Sequence, residues 1–467
     1  MPYDPDQSLL FPPNLKDWLP TSHLAYFILD LISTLDLKEI YAHYDVKPVV
    51  DEKGNVVGQC AKSNRGRPAY DPRMMTSLLL YGYVTGTVSS RQLEKKCQED
   101  VAFRVLSANQ KPDHETISEF RRVHLKALAG VFLQVLKLCQ KAGLVKLGHV
   151  ALDGTKVKAN ASKHKAMSYG YMQKREDELK KEIEELMRRA EQTDHDEDDR
   201  HGRGKRGDEL PDELARRESR LKKIQEAKAA LEAEAKAEAQ RIRQADEEER
   251  QRRERDGDPA KPGRKPEPSE SPDTKAQRNF TDPESRIMKN ADQAFVQAYN
   301  AQAAVDHQNQ IIVAQDVSNQ AADAPHLPAM VEQIQSNMGE CPEELSADAG
   351  YFSEDNVTAL SERAIDPLVA AERLKHREKP PASRGPIPKN ATLKDKMIRK
   401  LRTLAGRAAY ALRKVTVEPV FGQTRTRGLV RFWLRGLAKV KAEWSLWCTG
   451  HNVLKLFRSG VVASAIA

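Results

Sequence analysis

The sequence predicts an α/β protein with an α-helical N-terminal domain and a charged helical insertion. Three observations lead there. Residues 1–145 carry apolar side chains at helical spacing. Strand-like runs occur at 147–158 and return after 294, with helices between and after them. Between the two sets of strands, 172–256 is dominated by Glu, Lys, Arg, Asp, Ala and Gln.

Each element has its own warrant. Ser22–Leu37 places Leu24, Phe27, Ile28, Leu31 and Ile32 on one helical face. Arg65–Pro72 is a turn-rich basic entry to an apolar helix over Met74–Tyr83, which ends between Gly82 and Gly86. Ser89 with Gln92, and Thr116 with Glu119, have capping-box spacing and open two further helices. A last helix, 125–141, ends at Gly143. Leu147–Lys158 reads as a strand. Leu179, Ile183, Leu186 and Met187 make one thin seam in the charged region, and Leu221, Ile224 and Leu231 a second. Asp194–Gly204 between them cannot build a core and reads as a loop, so the region is an antiparallel helical hairpin. Residues 257–278 are linker-like. Ala294–Val305 and Asn309–Val317 read as strands, Leu327–Met338 as a helix, Glu344–Asp348 as a strand, Ser353–Arg363 as a helix and Asp366–Ala371 as a strand. Residues 374–392 are basic and proline-rich, and 393–458 are helical and basic.

Composition bounds the partners. Lys and Arg outnumber Asp and Glu by 76 to 68, a net +8 that favours a polyanion. No run of eighteen apolar residues occurs, so no membrane span is expected. The N-terminus lacks signal-peptide regions. Five scattered cysteines with no C-x-x-C pair indicate neither a zinc site nor a disulfide framework, and fit a reducing cytosol.

Three acidic residues carry the chemistry. Asp153 and Asp348 each follow a short apolar or small-residue run, as at the exposed end of a buried strand. Glu418 stands at the start of a helix, with Pro419 at its first position. Such carboxylates can hold divalent metal ions with hard oxygen donors. Alone, Asp348 also suits a turn and Glu418 a helix start.

At this point the chain resembles a bacterial insertion-sequence transposase of the DDE type, with an RNase H-like mixed sheet flanked by helices. The matching stretches are Asp153-Gly-Thr-Lys156, Tyr299–Asp306, Ala347–Phe352, Val417–Gln423 and His451–Lys455. In the N-terminal part they are Gly66–Pro72 and Pro112–Arg121. The resemblance implies that Asp153, Asp348 and Glu418 are the catalytic and metal-binding triad. They are 348 − 153 = 195 and 418 − 348 = 70 residues apart. It implies two Mg²⁺ or Mn²⁺ ions with Asp153 bridging them, attack by water and then by a 3′-hydroxyl, and no need of a protein general base. The domains are then a helical DNA-binding domain (1–145) and the first part of the RNase H-like domain (146–171). The insertion with its linker (172–278) and the remainder with a basic helical C-terminus (279–467) follow. Related transposases carry a tyrosine, an arginine and a lysine around the glutamate. Here these are Tyr410, Arg413 (one residue further from the glutamate than is common) and Arg425 in the lysine's place. Arg425 would clamp a DNA phosphate; Arg413 has a solvent arginine as an equal alternative.

Recognition is expected elsewhere. Residues 87–124 suit a helix-turn-helix, with Thr116–His124 reading the groove through Arg121 and Arg122. Arg431 and Arg435 in the basic tail are placed to track phosphates. Trp444 and Trp447 read as core. The expected partners are double-stranded DNA, as terminal inverted repeats and target, with a homodimer on the DNA and no membrane. The expected location is the bacterial cytoplasm, at the nucleoid. A non-transposing RNase H-like nuclease and a DNA-binding protein with a decayed core are the alternatives.

Overall fold

Apolar residues at helical spacing build the first part of the chain in the computed structural model. It describes residues 14 and 17–461, apart from 45, 51–55, 62–68, 202–211, 257–266, 291–292, 372–384, 386 and 388–390. The chain forms two compact units, Met1–Ala159 with Tyr299–Ala467, and Asn160–Ala298.

In the first unit, α1 (Leu24–Thr34) buries Ala25, Ile28, Leu31 and Ile32. After α2 (Lys38–Tyr41) come two antiparallel strands, β1 (Val46–Val50) and β2 (Val56–Ala61). The helical reading of 1–145 missed this pair, although its Val-rich runs carry β propensity. Helix α3 (Pro72–Thr85) starts with Asp71 accepting from Arg73 N and ends at left-handed Gly86. The basic entry before it lies largely outside the described residues.

The two capping boxes are corrected. Ser89 sits at the cap of α4 (Ser90–Glu99), but its side chain makes no cap bond. Asp100 caps α5 (Val101–Leu106). Helix α6 (His114–Val123) starts three residues ahead of the expected box. Asp113 accepts from Thr116 N at 2.7 Å, and Glu119 bonds Arg122 instead. Helix α7 (Leu125–Lys141) then leads to β3 (His149–Lys158).

The second unit holds β4 (Ala166–Ser168), α8 (Tyr169–His201), α9 (Asp212–Asp256), β5 (Gln277–Asn279) and β6 (Arg286–Lys289). The pairings Tyr169–Glu232, Glu176–Lys228 and Glu182–Arg217 run in opposite sequence directions, so α8 and α9 are antiparallel. Their seam is Tyr169, Met172 and Leu179 against Ile224, Ala227 and Leu231. Met187, expected in the seam, is exposed. The expected loop at Asp194 is helix as far as His201; charged residues extend a helix at little cost once it is nucleated. The rest of that loop and residues 257–266 of the linker lie outside the described residues, and the linker's last two residues belong to β5.

Ser168 and Gln277 face each other in the β4–β5 pair. Replacing residues 169–276 by Asn-Gly therefore closes a two-residue hairpin on strands already in register. That variant is expected to keep one cooperative melt, checked by calorimetry; a melt that vanishes would mean the other unit cannot fold without α8 and α9.

Strand β7 (Phe295–Asp306) pairs with β6 through its first residues and with β8 (Ile312–Ser318) through Asn300–Val305. Then come α10 (Leu327–Met338), β9 (Glu344–Ala347), α11 (Glu354–Glu362), β10 (Asp366–Val369), α12 (Leu393–Arg402), α13 (Leu404–Thr426) and α14 (Leu437–Arg458). In the first unit the sheet order is β10-β9-β3-β7-β8. Strands β10, β9 and β3 are parallel, and β8 is antiparallel to β7, so the sheet is mixed. The proline-rich stretch before α12 lies largely outside the described residues.

Helix α14 joins the N-terminal helices to the sheet, packing on α7, α3 and β8. Trp444 and Trp447 are wholly buried in it. Trp444 Nε1 donates to Gln302 O, and Trp447 meets Tyr83 of α3 edge-on at 5.5 Å. The His451–Lys455 motif docks this helix on the sheet. Asn452 pairs with Ile312 N and O at 2.9 Å, while His451 Nε2 reaches Gln310 O at 2.8 Å. Burial holds the His451 imidazole neutral, down to about 3. No single helix among the described residues is long and apolar enough to cross a membrane.

Candidate active site

Parallel register brings the two aspartates together. Leu152 of β3 pairs with Ala347 of β9, so Asp153 and Asp348 follow side by side. Asp348 lies just past the carboxyl end of β9 and Asp153 in mid-strand, since β3 runs on to Lys158 instead of ending at the aspartate as expected. Asp348 Oδ1 accepts from Gly350 N at 2.9 Å. Asp153 Oδ1 accepts from Gly154 N at 2.8 Å.

Helix α13 brings the glutamate. Its length corrects the sequence reading: Pro419 is not at a helix start but inside a helix of 23 residues. Proline cannot bond the carbonyl four residues back, and Gln310 Nε2 satisfies that Val415 oxygen at 2.9 Å. Arg413 lies between the carboxylates. Its Nη1 donates to Asp153 Oδ2 at 2.9 Å and its Nη2 to Glu418 Oε1 at 3.2 Å. Its side chain is 13% exposed, which removes the solvent-arginine alternative. Tyr410 lies 6.0 Å from the guanidinium. Exposed Arg425 donates to Thr155 Oγ1 at 2.7 Å, two residues along β3 from Asp153.

A fourth carboxylate, Asp323, had no signal in the sequence: no strand runs into it and no motif holds it. Its Oδ1 accepts from Lys156 Nζ (2.9 Å), Asn300 Nδ2 (2.7 Å) and Gln302 Nε2 (3.0 Å). This explains Gly154, where a Cβ would lie 2.8 Å from Asp323 Oδ1 and 2.5 Å from Gln302 Nε2. Tyr351 hydroxyl donates to Gln302 Oε1. Burial pushes Asp153 up to about 6; Asp348 and Asp323 add to the rise, and Arg413 opposes it.

The donor chemistry fits a hard divalent cation. Four carboxylates meet only two cations in salt-bridge contact among the described residues, Lys156 and Arg413. With Arg413 between Asp153 and Glu418, no three acidic, His or Cys side chains among the described residues form a metal-binding group as they lie.

The expected DNA-reading pair is split. Arg121 is 8% exposed and donates to Val88 O at 2.8 Å, so its guanidinium is used inside the fold and cannot read a groove. Helical period explains this: Ile117, Phe120 and Arg121 share the inward face of α6. Arg122 is exposed and bonds Glu119. The outer face of α6 is acidic, with Asp113, Glu115 and Glu119 lining an open cleft of about 590 Å³. Arg431 and Arg435 are exposed between α13 and α14.

Buried Glu443 of α14 accepts from Trp433 N and Leu434 N. Burial pushes it from 4.5 to about 7, against those bonds and Arg121. Folding therefore takes up a proton between these values. Acid favours the folded state, and the penalty of the buried charge is complete above pH 7. Glu443→Gln is expected to flatten this slope, worth at most about 3 kcal/mol. Melting curves from pH 5 to 8 check it; a slope unchanged in the variant would assign the pH dependence to other groups.

Two family profiles match the chain. Residues 13–123 match a Transposase domain (DUF772) and residues 263–453 a Transposase DDE domain. Asp348 and Glu418 fall inside the second match; Asp153 lies upstream of it. No curated protein and no solved structure matches. With a mixed sheet flanked by helices and a transposase match at each end, the chain belongs to the DDE transposases of insertion sequences, which have an RNase H-like fold.

Proposed function

We propose that this chain binds the terminal inverted repeats of its insertion sequence, cleaves the DNA there and joins the ends to target DNA. The observation that carries this reading is the convergence of Asp153 and Asp348 on adjacent parallel strands, with Arg413 spanning to Glu418. Asp153, Asp348 and Glu418 would hold two Mg²⁺ or Mn²⁺ ions. The chemistry such ions supply when bound is activation of the attacking oxygen and neutralisation of the leaving one.

The chain's own residues do the rest. Arg413 keeps Asp153 and Glu418 neutralised until DNA arrives, then turns its planar fork to a phosphate. Arg425, braced by Thr155, holds a second phosphate beside β3. Arg431 and Arg435 position the duplex further out. Residues 1–145 serve as the DNA-binding domain, with Arg122 in place of Arg121 as the outward arginine of α6. A homodimer on DNA would present two such sites to two transposon ends.

The test uses the full chain and a plasmid carrying the coding region with its flanking repeats. Release of the element in Mg²⁺, but not in EDTA, is the expected result. Nicking that ignores the repeats would favour a general nuclease instead.

A further inference from the structure

The loop between α13 and α14 is fixed by an expensive device. Glu443 is wholly buried, and it spends both oxygens on the backbone of this loop, at 3.0 Å to Trp433 N and 2.9 Å to Leu434 N. Burying a carboxylate is costly even when it is hydrogen-bonded. A second anchor is Phe432, fully buried, whose N–H donates to Lys158 O of β3 at 2.8 Å. Arg431 forms a parallel bridge to Lys158.

What the loop shows outward is unlike an ordinary connection. Val430 is 73% exposed and Trp433 37%. The guanidinium of Arg431 lies over the Trp433 ring, 4.6 Å from its centroid. Single exposed apolar residues are ordinary. A half-exposed tryptophan under a stacked guanidinium, on a backbone held by a buried carboxylate, presents an aromatic ring and a positive charge together at the surface. Its surroundings favour a polyanion with flat rings. Lys158 is five residues beyond Asp153 on one strand, roughly 16 Å. DNA seated on the carboxylates and running along that strand reaches the loop within about five nucleotides.

We propose that the Val430–Arg435 loop is a stacking platform for an unpaired DNA base near the cleavage position. Trp433 supplies the ring face, and Arg431 and Arg435 the charge for the flanking phosphates. Every base has a π-face, so the platform tolerates any sequence. A duplex hides those faces, so the platform separates opened strands from paired ones. The inference rests on DNA being the substrate of the proposed function and adds the form in which its end is taken.

Tryptophan emission tests it. The chain has four tryptophans, and Trp444 and Trp447 are wholly buried. Full-length protein is titrated with a short oligothymidylate and with a duplex of the same length, in EDTA. The single strand is expected to quench the wild-type emission. In Trp433→Ala the quenching is lost and the oligothymidylate binds about tenfold more weakly, while duplex affinity stays within twofold. Trp433→Phe also loses the quenching, with a single-strand affinity between those of wild type and the alanine variant, and it provides the measurement should the alanine variant not fold. Persistent quenching in either variant, or wild-type affinity of the alanine variant for the single strand, overturns the proposal. An equal loss on duplex and single strand also overturns it, since that is phosphate binding alone. Asp153→Asn should quench like wild type; if it also releases the element normally, the carboxylate reading fails while the platform stands.

Discussion

Asp153→Asn is expected to abolish DNA cleavage in Mg²⁺ while leaving the protein folded and able to bind transposon-end DNA. Asparagine keeps the shape of the side chain and removes its charge and one hard oxygen donor. Stability should not fall, because the carboxylate is mostly buried and lifted to about 6 by that burial. Above that pH the folded state carries an unfavourable buried charge, which the amide removes. The cost is one partner of Arg413, which retains Glu418 at 3.2 Å. Element release, DNA affinity and melting temperature are measured on the same preparation. Normal release by the variant removes Asp153 from the site. A lost melt would mean that the charge pair with Arg413 is structural.

Gly86→Ala is expected to be the most damaging single-methyl change in the fold. Gly86 ends α3 at φ +84°, and a Cβ there would lie 1.8 Å from Arg427 O. The neighbour is backbone at the end of α13, so no rotamer change relieves the clash. Left-handed strain alone costs about 1–2 kcal/mol. Forcing apart the N-terminal helices and the α13–α14 junction should bring the loss to about 4–5 kcal/mol or more. Gly143 is the control: φ is +72°, yet nothing stands within 4 Å of its Cβ position. Gly143→Ala should show the strain term only. Denaturant midpoints of the two variants decide it; equal losses would refute the close approach at Arg427.

The chain pattern disclosed most elements because each local choice agrees with the whole. Leu327–Met338 runs from its proline start to Gly339 as its apolar spacing predicts. Strands β7, β8 and β9 fall where apolar runs end in turn residues. Asp153 and Asp348 were legible because an acid after a buried run has few structural uses. The motifs around them were legible through family resemblance. The sequence by itself thus determined the fold class, the order of elements and which carboxylates to suspect.

Tertiary structure decided the rest, because it depends on contacts between residues far apart in the chain. Pro419 reads as a helix start by propensity, and only Gln310, 109 residues earlier, lets the helix run through it. Arg121 reads as a groove contact by charge, and only the inward turn of α6 spends it on Val88. Asp323 has no pattern of its own, yet it lies against Gly154 and takes Lys156. Arg413 becomes a bridge because β3 and α13, 260 residues apart, place Asp153 and Glu418 on its two sides. Hydrophobic period and capping act over one or two turns of chain. Salt bridges, buried carbonyls and close approaches act across the core, where sequence distance carries no information.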